Sequence, residues 1–275
     1  MTRIRLRVKY RSKTRCRLGE GVDFHNGSGK LAWVDIELGR VIVSDLQMSE
    51  EEIYEDFLFP SKTFFDKSGA LYVLHQQGIS KFYSERKTFK IESNWPWAMD
   101  GFRFNDATRI NEKTYYVSTM STKGISGAGA VWLWSIDESP NKIVSNLSIP
   151  NSIVYDSKRD RLYYCDSKTK IISFLSLNMG VPNRNPCIFS DEGIGEPDGS
   201  TIDETGNLWN CRWDGESILI FDTSGNQIES IQLPTTRPTS CKLSTNGKYL
   251  IVTSASLGAS PEDGYTFVYE ILYSS

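Results

Sequence analysis

The sequence predicts an all-β protein, a six-bladed β-propeller, on three observations. A short scaffold phrase returns at intervals of roughly 40–50 residues, the period of radial β-repeats. Each copy sets a turn rich in Gly, Asn or Asp before a run of alternating aromatic and β-branched residues, which is what a half-buried strand requires. Six copies follow one another along the 275 residues without a break.

The copies run from Gly29 to Asp35, Ser68 to Val73, Asn111 to Val117, Arg159 to Asp166, Thr205 to Cys211 and Asn246 to Val252. They mark out units at about 19–58, 59–100, 101–149, 150–196, 197–237 and 238–275. The unbroken repeat offers no boundary, so residues 1–275 are expected to form a single propeller domain. Ahead of the first unit, Ile4, Leu6, Val8 and Tyr10 alternate with Arg3, Arg5, Arg7 and Lys9. That pattern reads as a strand near 3–10 with one wet face, pairing with the last unit so that the two ends of the ring close and no sheet edge is left open. A basic docking surface is the other reading of the same residues. Two irregular stretches, Ser121 to Gly129 and Asn178 to Pro197, are expected to be surface excursions bordering a site.

Composition narrows the function. The chain is 39% hydrophobic and 12% aromatic, enough for a core shared between stacked sheets. A formal charge of -3 gives no reason to expect a nucleic-acid partner. The cysteines Cys16, Cys165, Cys187, Cys211 and Cys241 are odd in number and form no C-x-x-C pair. They point to reduced thiols in a cytoplasmic protein rather than to a disulfide frame or a zinc knot. No apolar run has signal-peptide or membrane-spanning character, and no obligatory protein partner is evident. The two histidines, His25 and His75, are too few for a zinc cluster, and no nucleophile triad is apparent. Neither a P-loop nor a G-x-G-x-x-G is present.

What remains is a set of carboxylates and amides near the starts of units: Glu20 in Leu18-Gly19-Glu20-Gly21, Asn105 in Arg103-Phe104-Asn105-Asp106, Asn151 in Ile149-Pro150-Asn151-Ser152 and Asp198 in Glu196-Pro197-Asp198-Gly199. Equivalent positions of successive blades converge on the central channel, where such a group makes a hard, oxygen-rich site for a divalent cation. Each motif taken singly is also an ordinary turn.

The combined order of motifs resembles the senescence marker protein/gluconolactonase family over about residues 17 to 255. The resemblance rests on Leu18-Gly19-Glu20-Gly21 before Leu31-Ala32-Trp33-Val34-Asp35-Ile36, then Arg103-Phe104-Asn105-Asp106 and Thr119-Met120. It continues with Pro150-Asn151-Ser152-Ile153 before Leu162 to Ser167, and Pro197 to Asp203 before Gly206-Asn207-Leu208-Trp209. It implies hydrolysis of a sugar lactone with one divalent metal ion (Ca, Zn, Mg or Mn) in the channel. Glu20, Asn151 and Asp198 fall on the metal-ligand positions, Asp198 also on that of the base, and Arg103 and Asn105 on substrate-contact positions. An ester or organophosphate hydrolase using the same cation, and a noncatalytic calcium-binding propeller, are the alternatives.

The chain departs from the family pattern in three places. Asn151-Ser152 and Asn105-Asp106-Ala107 lack glycines that members often carry beside site residues, which puts the local backbone geometry in question. Lys123 follows Thr119-Met120 where an acidic contact is usual, and is read either as a contact for an acidic substrate or as a solvated loop lysine. Trp95-Pro96-Trp97 offers either an aromatic wall for a sugar or rings packed between sheets.

Overall fold

The computed structural model describes residues 3–177, 187–190 and 194–274. They form six four-stranded antiparallel sheets, with no helix among the described residues. The strand β1 (Arg3–Arg11) precedes the first blade, which is built from β2 (Gly19–His25), β3 (Lys30–Asp35), β4 (Arg40–Asp45) and β5 (Glu51–Tyr54). The second holds β6 (Lys62–Phe65), β7 (Leu71–His75), β8 (Gly78–Tyr83) and β9 (Thr88–Asn94), and the third β10 (Phe102–Arg109), β11 (Thr114–Ser121), β12 (Gly129–Ser135) and β13 (Asn141–Leu147). The fourth holds β14 (Pro150–Asp156), β15 (Arg161–Asp166), β16 (Ile171–Ser176) and β17 (Cys187–Ser190), and the fifth β18 (Glu196–Ile202), β19 (Leu208–Trp213), β20 (Ser217–Phe221) and β21 (Gln227–Gln232). In the sixth, β22 (Pro238–Leu243), β23 (Tyr249–Ser254) and β24 (Phe267–Ser274) take β1 as their outermost strand, in the order β1-β24-β23-β22. The expected closing strand is therefore present, with Ile4 opposite Tyr273 and Leu6 opposite Ile271.

The recurring turn has a common chemistry. Asp66 Oδ1 accepts the N–H groups of Ser68 and Ala70, Asp203 Oδ1 those of Thr205 and Asn207, and Asp222 Oδ1 those of Ser224 and Asn226, all at 2.8–2.9 Å. Gly69, Gly206 and Gly225 then turn the chain at φ 85°, 93° and 91°, a region an L side chain rarely enters. Behind the turns at Asp66 and Asp203 the middle strands β7 and β19 are buried on both faces because neighbouring blades stack on them, whereas the Asp222 turn leads into the exposed outer strand β21. Rings from adjacent blades interdigitate: Tyr72 and Phe64 pack with Tyr115 and Trp134, and Trp33 with Ile251 and Val268. Trp95 belongs to this core and meets Trp97, Phe104, Trp132 and Trp134 edge-on, whereas Trp97 is 43% exposed. The outermost strands β5, β9, β13 and β21 are more exposed than the middle ones, and Glu52, Lys90, Glu92 and Lys142 place charges along them that discourage pairing with another chain.

The innermost strands β2, β6, β10, β14, β18 and β22 neighbour one another in turn around a ring. Side chains tie them across the blades: Thr63 Oγ1 donates to the carbonyls of Gly21 and Ala32, both at 2.9 Å, and Thr239 Oγ1 donates to that of Gly19. Five of these strands break register at the same level, between Glu20 and Asp23, Phe104 and Ala107, Asn151 and Val154, Pro197 and Ser200, and Pro238 and Cys241. A bulge of this kind redirects side chains locally. Only β6 runs straight past this level against its partner.

Of the two excursions, 122–128 connects β11 to β12. In the other, residues 178–186 and 191–193 lie outside the described residues, while 187–190 form β17 and 196–197 begin β18.

Candidate active site

The bulges decide where the site residues go. Glu20, Asn105, Asn151 and Asp198 each lie at the break in register of their strand and, with Arg103, line one cavity of about 220 Å³. Leu18, Ile36, Met120, Ile149 and Trp213 supply its apolar wall, and Ser167, Lys168 and Glu196 complete the lining.

The approaches to the first and fourth blades are pinned in the same way. The carboxylate of Asp35, at the end of β3, accepts the N–H groups of Arg17 (2.7 Å) and Leu18 (3.1 Å), just ahead of Glu20. Asp166, at the end of β15, accepts those of Ser148 (2.8 Å) and Ile149 (3.0 Å), just ahead of Asn151. Both aspartates are buried and stand 15 residues after the site residue whose approach they hold.

Within the cavity, hydrogen bonds run from blade to blade. Arg103 Nη1 donates to Asn105 Oδ1 (2.6 Å) and to the Phe104 carbonyl (2.9 Å). Asn105 Nδ2 donates to Asn151 Oδ1 (2.8 Å) and to the Pro150 carbonyl (3.0 Å). Asn151 Nδ2 donates to Ser167 Oγ (3.2 Å), whose hydroxyl donates to the Pro197 carbonyl (2.7 Å), one residue before Asp198. The amide oxygen of Asn151 is thereby fixed in direction, and its second lone pair remains for a ligand.

Two carboxylates share this enclosure. Glu20 Oε2 accepts the Gly21 N–H at 3.0 Å. Asp198 Oδ1 is buried and has no hydrogen-bond partner among the described residues. Burial pushes the Glu20 carboxyl up to about 8, with the Asp106 charge adding to the effect. Asp198 is pushed well above the usual carboxylate range, again by burial first and then by Glu20. Two such groups ionise together only when a positive charge joins them. Arg103, pulled down by its own burial and held up by Glu20 and Asp198, supplies part of that charge. No three His, Cys, Asp or Glu side chains converge as a metal cluster among the described residues, so a cation here needs the amide oxygen of Asn151 beside the two carboxylates. That all-oxygen donor set, with one orphaned carboxylate oxygen, fits a hard divalent cation.

The backbone question raised by Ser152 has a definite answer. Ser152 adopts φ 55°, the left-handed conformation a glycine favours, and Gly21 after Glu20 adopts φ 60°. The serine hydroxyl donates to the Asp198 carbonyl, meets Ser200 Oγ at 2.8 Å and accepts from Asn210 Nδ2 at 3.0 Å. Gly199, after Asp198, is required by proximity instead: a Cβ there would lie 2.8 Å from the Thr239 carbonyl oxygen and 2.9 Å from Ser240 Cα.

Residues 18–256 match the family model described as the SMP-30/gluconolactonase/LRE-like region. The chain belongs to this family. Within the SMP-30/gluconolactonase family it is 27% identical to the L-arabinolactonase of Azospirillum brasilense over 262 residues, covering 90% of this chain and 84% of the relative. It is 24% identical to a pentonolactonase of Haloferax volcanii over 233 residues, 82% of this chain and 77% of the relative. The crystal structure of the calcium-binding protein regucalcin from Agrobacterium tumefaciens superposes with a TM-score of 0.85 at 25% identity, over 95% of this chain and 93% of that one.

The structure thus gathers Glu20, Arg103, Asn105, Asn151 and Asp198, and leaves Lys123 outside the lining, exposed on the 122–128 loop, where its N–H donates to Ser121 Oγ at 3.2 Å. Neither tryptophan of Trp95-Pro96-Trp97 reaches the cavity, and the two histidines lie elsewhere. His75 is buried, held down to about 4 by desolvation, with Nε2 2.8 Å from Ser80 Oγ. Cys16, Cys165, Cys211 and Cys241 are buried free thiols, and burial raises Cys16 to about 12. Sequence reasoning missed Lys168, Glu196, Ser167 and Trp213 as lining residues. The signal was available in one respect: Val34-Asp35 and Cys165-Asp166 repeat at the same offset from Glu20 and Asn151.

Proposed function

We propose that this protein hydrolyses a sugar lactone, with one divalent cation (Ca²⁺, Zn²⁺, Mg²⁺ or Mn²⁺) held by Glu20, Asn151 and Asp198. The observation that carries the reading is the buried, unpartnered Oδ1 of Asp198 in a cavity that also contains Glu20 and the oriented amide oxygen of Asn151. Similarity to an L-arabinolactonase and a pentonolactonase supports the choice of substrate class. The bound cation supplies Lewis-acid polarisation of the ester carbonyl and the positive charge that lets both carboxylates ionise.

The residues of the chain do the rest. Asp198 accepts a proton from the attacking water as the water oxygen bonds to the carbonyl carbon. It returns that proton to the ring oxygen as the ring C–O bond breaks, leaving an open hydroxy acid. Arg103 and Asn105, beside Asn151, hold substrate hydroxyls so that the carbonyl faces Asp198. Met120, Ile149 and Trp213 cover the apolar faces of the sugar and limit bulk water. The buried free thiols favour a reducing, cytoplasmic setting.

The test is hydrolysis of a panel of aldonolactones, followed by proton release, before and after exhaustive chelation and after refilling with each cation. Turnover lost on chelation and regained on refilling is expected. Turnover indifferent to chelation overturns the cation's role, and a cation-loaded protein that opens no lactone supports the noncatalytic binding alternative. Faster turnover of an aryl ester or phosphotriester than of every lactone moves the reading to the broader ester hydrolase.

A further inference from the structure

Asp106 follows Asn105 directly, is 5% exposed and does not line the cavity. Its carboxylate nevertheless joins three blades. Oδ1 accepts from Lys62 Nζ of the second blade at 3.0 Å and from the Ala107 N–H at 2.8 Å. Oδ2 accepts from the Ile153 N–H of the fourth blade at 2.8 Å. Ile153 lies inside the bulge that runs from Asn151 to Val154 and contains the left-handed Ser152. A second tie reinforces the first: Ser118 Oγ donates to the carbonyls of Asp106 (2.9 Å) and Pro150 (3.1 Å).

Lys62 owes its position to an irregularity already described. It opens β6, the innermost strand that passes this level without a bulge, and its side chain is 12% exposed. An ion pair enclosed in this way adds little to stability by itself, but it fixes geometry when both carboxylate oxygens are held by donors from different blades, as here.

We propose that Asp106, oriented by Lys62, is a positioning residue for the cation site: it clamps the bulge that presents Asn151 and so sets how tightly the channel holds its divalent cation. This rests on the cation reading above. Partners behind metal ligands commonly change metal affinity by about 10–100-fold when removed.

A clamp and a simple charge effect differ in sign. If the pair acted only through its charges, removing the positive Lys62 would tighten cation binding, and removing both charges together would leave it nearly unchanged. A clamp weakens binding in both cases. The full chain is therefore compared as wild type, Lys62→Met and the double variant Lys62→Met/Asp106→Leu. The double variant leaves no uncompensated buried charge and keeps the measurement available if the single variant folds poorly.

Mn²⁺ binding is read by electron paramagnetic resonance, and hydrogen exchange at the Ile153 amide is read in the cation-free proteins. We expect Mn²⁺ affinity to fall about 10-fold or more in both variants, together with lost protection at Ile153. Wild-type or tighter affinity in Lys62→Met, or unchanged affinity and Ile153 protection in the double variant, overturns the clamp while leaving the proposed function standing. A wild-type protein that binds no cation overturns the cation reading and the clamp with it.

Discussion

The hydroxyl of Ser152 donates to the backbone carbonyl of Asp198, so the residue in the left-handed conformation beside one candidate ligand braces the strand that carries another. A side chain at φ 55° costs on the order of 1 kcal/mol relative to glycine. The hydroxyl offsets this through its bonds to the Asp198 carbonyl, Ser200 and Asn210. Ser152→Gly is expected to lower stability by about 1 kcal/mol, because the lost hydrogen bonds outweigh the relieved strain. Ser152→Ala keeps the strain and loses the bonds, and should cost about 1–2 kcal/mol more. Urea unfolding of the three proteins checks the order, and a glycine variant more stable than wild type contradicts it.

Asp198→Ala removes a carboxylate proposed both to hold the cation and to move the proton, and is expected to abolish lactone turnover. Glu20→Gln keeps an oxygen but loses charge, so its activity should return at high cation concentration. Cation titrations of initial rates separate the two. Near wild-type rates in the alanine variant, or a folded Glu20→Gln that no cation concentration restores, would remove that residue from its role.

The acidity of the site gives the cation-free protein an unusual pH profile. Glu20 is raised from 4.5 to about 8 in the folded state, so the folded chain binds this proton more tightly than the unfolded chain. That contribution is complete below the unfolded value and is lost as pH rises through the folded one, so stability should decline between about pH 5 and pH 8. Asp198, raised as well, acts in the same direction. Saturating cation, which favours ionised carboxylates, should flatten or reverse the decline. Melting temperatures across this range with chelator and with Ca²⁺ report both slopes; a cation-free protein that gains stability with rising pH contradicts the assignment.

At the mouth, Lys168 lines the cavity and pairs with Glu196 at 3.1 Å, whereas Lys123 is exposed outside the lining. For a lactone bearing a carboxylate or sulfonate, Lys168→Glu is expected to lower kcat/KM relative to a neutral lactone by about 3–10-fold at low salt. Lys123→Glu, surrounded by water, should leave that ratio nearly unchanged. The ratio in each protein at two ionic strengths is the measurement. A larger shift at Lys123 would place the 122–128 loop over the mouth after all.

The sequence was informative where one periodicity governs many residues. Turns such as Ser68-Gly69 and Thr205-Gly206-Asn207 and the alternating runs behind them announce the blades, and the alternation from Ile4 to Tyr10 announces the closing strand. Site residues were legible because each bulge lies just ahead of its blade's first turn, a fixed distance that survives in the order of motifs. Lys62 and Asp106 were not legible as a pair, since 44 positions separate them and only the ring brings them together. Of the two excursions expected to border a site, Asn178 to Pro197 contributes Glu196 to the lining and residues 122–128 contribute nothing, although a glycine-rich loop is the more conspicuous in sequence. Lys168 occupies an ordinary four-residue turn between β15 and β16, and only the ring of blades brings it beside the other lining residues.

Arg7 and Glu270, 263 positions apart, meet across the outermost pairing of the sixth blade. During synthesis β1 therefore waits for nearly the whole chain to appear before it finds its partner, with its alternate apolar side chains uncovered in the meantime. The arginines and lysines between them keep that waiting strand in water and repel other nascent copies. Glu20 meets the same delay from the inside, because β2 gains its neighbour β22 only when the last sheet arrives. The proposed site would then be completed late: with five blades stacked, Asn105, Asn151 and Asp198 would be in place while β2, which carries Glu20, still lacked its neighbour β22. Catalytic competence should emerge with ring closure rather than with the first appearance of β structure, and its time course on refolding would report that final, long-range pairing.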